Sequence, residues 1–395
     1  MVGLAIPPAS QAAPTSWFGY NDDFAHHDPW AWPGQWPNKS TLSGAELEAR
    51  LAEEQRIQDM MAHAQRGGSK TIRYPVLWSR VEANRGTLRW NYYDYVFQQA
   101  GARGIRPILV LMDAPCWALD GWWACKKFGP GVQPPYGVNG QEAIRPNTVH
   151  NGSFLNFAAT ATDRYGSAAG MEIWNEPNLP KNWAPSGHNG NSDNEYAELV
   201  VYGAFGVIAT NPNMPVLAGG VSPTNNSGTW GTTWKQWLDS FYRHPIYNGV
   251  PMRDWFQFLS AHPYSTRNPN NGPLSSMKDR YDDYREVKNN RRDNSPIWVT
   301  EVGLTTNDNY DGSQKVSEAN QGAYLANVED TWTGKEMFGM IIHRLYDTHP
   351  PNARDNSFDA GAGTMRLQLT PLPPQPAQPK YAFCLMASRH GQASC

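Results

Sequence analysis

Two glutamates in this chain close short apolar runs. Glu176 ends the segment Met171-Glu172-Ile173-Trp174-Asn175-Glu176 ahead of Pro177, and Glu301 ends Ile297-Trp298-Val299-Thr300-Glu301 just before Gly303. Paired carboxyls can do acid and base work together. A protonated one gives its proton to a leaving oxygen while an ionised one attacks carbon or activates water, which is what hydrolysis of a glycosidic bond requires. A purely structural role for both is the weaker reading, because two anions buried side by side cost too much without purpose. The aromatic balance agrees, with 17 Trp against 13 Phe. A core can use Phe or Leu, whereas Trp adds a flat face and an N–H that suit partly wet surfaces where sugar rings stack.

Strand-like and helix-like periods must position those glutamates, and they alternate along the chain. Apolar or β-rich runs fall at 17–21, 71–78, 106–113, 170–175, 215–221, 254–261, 296–301 and 338–345. Between them lie helical stretches. The first opens with a Ser43/Glu46 capping box and stops at Gly67-Gly68, and others span 91–104, 153–166, 193–209, 231–243, 279–290, 317–333 and 380–390. Eight such units predict one α/β domain, a (β/α)₈ TIM barrel over 17–395 with long strand-to-helix loops. An open doubly wound sheet would instead place a Gly-rich phosphate loop after the first strand, and no G-x-G-x-x-G follows Asn21.

Barrel active sites sit at the C-terminal strand ends. Loops there carry Trp30, Trp32, Trp36, Trp117, Trp122, Trp123, Trp183, Trp230, Trp234 and Trp237, with Tyr136. If even half face the cleft, it holds several sugar units and the enzyme cuts internally; singly, each can equally pack a loop onto the scaffold.

Composition excludes other classes. Charged residues make up 17% of the chain and the net charge is −3, which gives no polyanion-binding signal, so no nucleic-acid partner is expected. The longest apolar runs, 107–112 and 216–221, fall far short of the ~18 residues of a membrane span, so no membrane partner is expected either. Cys116 with Cys125 and Cys384 with Cys395 form two close pairs, read as two local disulfides rather than four separate thiols. Residues 1–16 resemble the tail of a secretory signal without its basic n-region, or a disordered start. An extracellular monomer acting on carbohydrate is the expectation. Asn38, Asn151 and Asn225 begin N-x-S/T sequons.

With Trp174-Asn175-Glu176-Pro177 on the fourth strand and Glu301 on the seventh, the chain resembles glycoside hydrolase clan A, in particular its family 39 and family 5 members. Arg73, the 87–109 stretch, His262-Pro263-Tyr264 and the Pro379-to-Phe383 segment extend the resemblance over nearly the whole chain. It implies that Glu176 is the general acid/base, Glu301 the nucleophile, and Asn175 a partner for the sugar 2-hydroxyl. Retention follows, with the carboxyl carbons of Glu176 and Glu301 ~5–5.5 Å apart. Arg73 is suited to favour ionised Glu301 and Tyr264 to donate to it, with His262 also placed at the substrate. Glu172 shares a strand face with Glu176 and is the expected buried partner of Arg73. The pattern departs on strand eight, where clan members commonly present a Trp and this chain offers Arg344 or Tyr346.

No cofactor and no metal are expected. Residues 307–318 approach an EF-hand loop through Asn307, Asn309, Asp311, Gly312 and Glu318, but with two carboxylates and Lys315 at the ninth place a turn into a helix is the better reading. The cluster from Asn21 to Asp28 has metal-ligand residue types, yet substrate hydrogen bonding or capping suits it better. Exo action, or a silent carbohydrate-binding barrel lacking one carboxyl, are the rivals.

Overall fold

The computed structural model describes residues 17–21, 36–119, 145–183, 192–223, 233–244, 249–265, 272–310, 315–347, 361–366 and 377–393. Eight parallel strands close a barrel in sequence order: β1 (Trp17–Asn21), β2 (Thr71–Leu77), β3 (Ile108–Met112), β4 (Gly170–Ile173), β5 (Val216–Val221), β6 (Phe258–Ala261), β7 (Ile297–Val302) and β8 (Met337–Ile342). β8 returns to β1 with Phe18 paired to Met340. Strands covered on both faces must be apolar throughout, and every residue of β3 to β7 is buried. Ile108, Ala169, Leu217, Phe258, Trp298 and Ile341 form an apolar cluster that fills the end of the barrel where most strands start. Chemistry is therefore left to the opposite, C-terminal end.

Outside run α1 (Gly44–Arg66), a short α2 (Trp78–Val81), α3 (Asn91–Gly101), α4 (Asn151–Arg164), α5 (Ser192–Thr210), α6 (Trp234–Arg243), α7 (Gly272–Asn290), α8 (Glu318–Thr333) and α9 (Tyr381–Arg389). The expected stop of α1 is present: Gly67 N–H bonds the His63 carbonyl at 2.8 Å and Gly68 takes φ 82°. Its expected capping box is not. Ser43 makes no side-chain capping bond, because the chain enters the helix through Gly44 at φ 55°, outside helical geometry. A capping box forms instead at α6, between Thr233 and Gln236.

The eighth run ends earlier than expected. β8 stops at Ile342, and Arg344–Tyr346 leave the barrel as β9, pairing with β10 (Gly363–Arg366), which pairs with β11 (Gln378–Pro379). Lys380 locks this three-stranded sheet to the barrel top: its ammonium, buried, donates to Asp347 at 2.7 Å, Thr306 Oγ1 at 2.8 Å and the Gly363 carbonyl at 2.9 Å.

Cys116 and Cys384 are disulfide-bonded, and no cysteine is free among the described residues. Cys125 and Cys395, their expected partners, lie outside those residues. No helix among the described residues is long and apolar enough to cross a membrane.

Candidate active site

The two glutamates meet at the C-terminal mouth. β4 ends at Ile173 because Trp174 turns the chain through φ 69° and Glu176 through φ 42°, a region that L-residues adopt only when their surroundings enforce it. The enforcement is visible. The Trp174 indole is fully buried, donates to the Asn182 carbonyl at 2.7 Å and meets Trp183 edge-on, while Glu176 N–H bonds the Gly220 carbonyl at 2.9 Å. Glu301 needs no such turn, since it projects from the penultimate position of β7.

A carboxylate oxygen of Glu176, one of Glu301 and a ring nitrogen of His262 all lie within 4.8 Å of one another. Their surroundings differ. Arg73 donates from Nη1 to Glu301 Oε1 at 2.6 Å, from Nε to Glu172 Oε2 at 2.6 Å, and from Nη2 to Asn175 Oδ1 at 2.7 Å. The expected Arg73–Glu172 partnership thus exists, and the same guanidinium also orients Asn175, leaving the amide N–H₂ of Asn175 for a ligand. Tyr264 donates to Glu301 Oε2 at 2.9 Å and Asn21 to Oε1 at 3.3 Å. His262 reaches Glu176 Oε1 at 3.1 Å, and Asn182 donates to Glu176 Oε2 at 3.2 Å. Burial pushes the Glu301 carboxyl up, but the Arg73 guanidinium and the contact with His343 outweigh it, with His262 adding to them whenever that ring is protonated, and hold the group well below the usual carboxylate range.

His343 is the residue that the sequence reading missed. Its Nδ1 lies 3.2 Å from Glu301 Oε2, at the strand-eight place assigned to Arg344 or Tyr346. Alternation could have found it: Ile341 belongs to the interior cluster, so position 343 faces inward and 344 outward. Tyr346 instead hydrogen-bonds His63 of α1 at 2.6 Å, and Arg344 is buried.

The aromatic rim also needs correction. Trp117 donates to the Glu82 carbonyl at 2.8 Å and packs edge-on against Trp78. Trp36 lies under Arg50, and Trp183, Trp234 and Trp237 are each no more than 2% exposed. The four buried ones, Trp36, Trp183, Trp234 and Trp237, brace loops and helices instead of offering sugar platforms, while Trp117 is partly buried. Trp30, Trp32, Trp122, Trp123, Trp230 and Tyr136 lie outside the described residues.

Glu176, His262 and Glu301 are near enough to share a cation. The Arg73 guanidinium already supplies positive charge at the same carboxylates, so no metal role is assigned. In the EF-hand-like segment, Lys315 pairs with Asp308 at 3.2 Å, Glu318 forks to Arg366 at 2.6 Å in the first turn of α8, and Ser317 caps that helix. This is the turn-into-helix reading; Asp311 and Gly312 lie outside the described residues, as do the positions following Asn21 in the N-terminal cluster. Asn151 is 3% exposed at the start of α4, which leaves its sequon no room for a glycan. Asn38 caps a short 3₁₀ turn, and Asn225 lies outside the described residues.

A family model described as Cellulase (glycosyl hydrolase family 5) matches residues 32–335. Among solved structures, a family 39 glycoside hydrolase from the gut symbiont Bacteroides cellulosilyticus WH2 aligns at 18% identity and TM-score 0.54 over 84% of this chain. The chain spans 60% of that protein. The β-glycosidase BGL167 aligns at 13% identity and TM-score 0.60, covering 97% of this chain and 98% of its own. A family 1 β-glucosidase from Exiguobacterium antarcticum B7 aligns at 15% identity and TM-score 0.57, covering 97% and 99%. At such identities these structures speak to the fold alone. No curated protein matches the sequence significantly.

Proposed function

The chain belongs to the cellulase family, glycosyl hydrolase family 5, and from that membership we propose that it hydrolyses a β-linked glycan with net retention, Glu301 as nucleophile and Glu176 as acid/base. The observation that carries the reading is the approach of the two carboxylates, whose nearest oxygens lie within 4.8 Å. Retaining pairs stand ~5–5.5 Å apart, whereas inverting pairs need ~6.5–9.5 Å to admit a water between carboxylate and sugar.

The chemistry follows from the contacts. Arg73, Tyr264, Asn21 and His343 hold Glu301 ionised and aimed, so its carboxylate attacks the anomeric carbon. The glycosidic C–O bond breaks as the Glu176 proton passes to the leaving oxygen. Asn175, fixed by Arg73, offers its amide to the sugar 2-hydroxyl. Glu176, now a carboxylate, takes a proton from water, the hydroxide attacks the anomeric carbon, and the ester to Glu301 is released. Proton NMR of the first-formed reducing sugar tests this directly: the β anomer supports it, and initial α anomer overturns it.

For substrate, the family's description favours a β-linked polysaccharide cut internally. The β-glucosidase neighbours favour a second reading, exo action on short β-glucosides. With four of the five described rim tryptophans buried and Trp117 partly so, the extended cleft rests mainly on the family. Early mixed oligosaccharides from a polymer support internal cleavage, and monosaccharide alone supports the second reading. The disulfide state of Cys116 and Cys384 supports extracellular action, with Cys125 and Cys395 proposed as their partners.

A further inference from the structure

A second, buried path joins the two carboxylates, and the hydrolytic steps above make no use of it. His262 Nδ1 lies 3.1 Å from Glu176 Oε1, while His262 Nε2 lies 3.1 Å from Thr300 Oγ1. Thr300 Oγ1 in turn lies 3.2 Å from Glu172 Oε1, and Glu172 takes Arg73 Nε–H on its other oxygen at 2.6 Å. His262, Thr300 and Glu172 are all 0% exposed, so no solvent stands in for a missing partner.

Counting protons along this path fixes their directions. A hydroxyl has one proton, and a carboxylate only accepts. Thr300 therefore donates to Glu172, which also accepts Gly220 N–H at 3.3 Å, and turns a lone pair towards His262. Only an N–H at Nε2 completes that contact. Neutral imidazole carries a single N–H, so its Nδ1 shows Glu176 a lone pair, and the 3.1 Å contact then needs the proton on Glu176. We propose that Thr300 is a positioning residue which, by holding His262 in the Nε2–H tautomer, keeps on Glu176 the proton given to the leaving group. The proposal rests on the reading of Glu176 as the acid.

The surroundings of His262 leave Thr300 alone in this task. Glu176 faces Nδ1 from the loop after β4, and Glu301 Oε2 stands 3.6 Å from the same atom. The Tyr264 ring meets the imidazole edge-on at 6.4 Å, and Tyr284 of α7 reaches only the His262 backbone N–H, at 3.3 Å. From β5 the ring meets Gly220, where an added Cβ would lie 2.1 Å from Nε2, so no β5 side chain can replace Thr300. Glu172 accepts from Thr300, and Arg73 donates to Glu172. Without the Thr300 oxygen, His262 is free to adopt the Nδ1–H tautomer, which donates to an ionised Glu176 and empties the acid.

The test uses Thr300→Val, which keeps the side-chain shape without the hydroxyl, and Thr300→Ser, which restores it. Histidine-selective ¹⁵N NMR, with the His262 signals assigned by their loss in His262→Gln, reads the tautomer without any substrate. The expected result is Nε2–H in the wild type and in Thr300→Ser, and Nδ1–H in Thr300→Val. Nδ1–H or a doubly protonated imidazolium in the wild type, or an unchanged tautomer in Thr300→Val, overturns the proposal. In kinetics, Thr300→Val should move the basic limb of kcat/KM to lower pH, with Thr300→Ser restoring it. The loss should be at least ~10-fold on an unactivated β-glycoside and under ~3-fold on a dinitrophenyl one, since only the former needs the acid. Azide rescue of Glu176→Ala on the dinitrophenyl substrate tests the acid assignment separately. Rescue together with an unchanged tautomer in Thr300→Val overturns the role of Thr300 alone; failure of rescue overturns the assignment on which that role rests.

Discussion

Four side chains converge on the Glu301 carboxylate: Arg73, Asn21, Tyr264 and His343. A carboxyl whose proton affinity is depressed in the folded protein stays ionised on acidification until its own low pKa is reached, and below that point the nucleophile is lost. The acid limb of kcat/KM should therefore lie below the ordinary Glu value of about 4.3. His343→Phe removes one of the groups that lower it, so the limb should move up in pH while the basic limb stays; a pH–rate profile with both limbs unmoved would leave His343 no part in the site. Glu301→Gln should abolish turnover on every substrate, activated or not, because the amide cannot form the ester. Most of this constellation was legible at the level of residue types: Glu176, Glu301, Asn175, Arg73, His262 and Tyr264 were all named from strand-end position or resemblance. His343 is less legible, because the clan pattern points to an aromatic or planar side chain on strand eight, and only the alternation from Ile341 to the strand end marks position 343 as facing inward.

Elements carry a different lesson. The β3 and β5 runs are legible because strands covered on both faces must be apolar without interruption, and the Gly67-Gly68 stop because φ above zero selects glycine. Loop tryptophans were illegible because composition does not say which way an indole faces, and Trp183, Trp234 and Trp237 turn inward onto Trp174, Tyr284 and Tyr196. The β9–β11 sheet escaped notice because its strands are only two to four residues long and carry no period. The buried Lys380–Asp347 pair fixes its position on the barrel. Burial pushes the Asp347 carboxyl up to about 6 against the pull of Lys380, and burial also lowers Lys380. A raised carboxyl contributes stability that is complete at acid pH and is lost as pH rises through about 6, so this pair is not held for net stabilisation at neutral pH. Lys380→Met alone should nevertheless destabilise by about 3–5 kcal/mol, since it strands a buried carboxylate, whereas adding Asp347→Leu should recover most of that loss. Urea unfolding of both variants decides it; equal losses would mean the pair is not coupled.

At the scale of the whole molecule, the barrel puts every contact of the site at one mouth because the other end is filled by Trp298, Phe258 and their neighbours. Residues as far apart as Asn21 and Glu301 become hydrogen-bond partners only when β8 closes onto β1, so the site exists only in the closed barrel. The central claim, that Glu301 forms the ester and Glu176 serves as acid/base, is tested most directly by the stereochemistry of azide rescue on an activated aryl β-glycoside. In Glu176→Ala, azide should attack the ester on Glu301 and yield the β-glycosyl azide; in Glu301→Ala, it should enter the space vacated by the nucleophile and yield the α-glycosyl azide. The reverse pairing of variant and anomer would contradict the assignment.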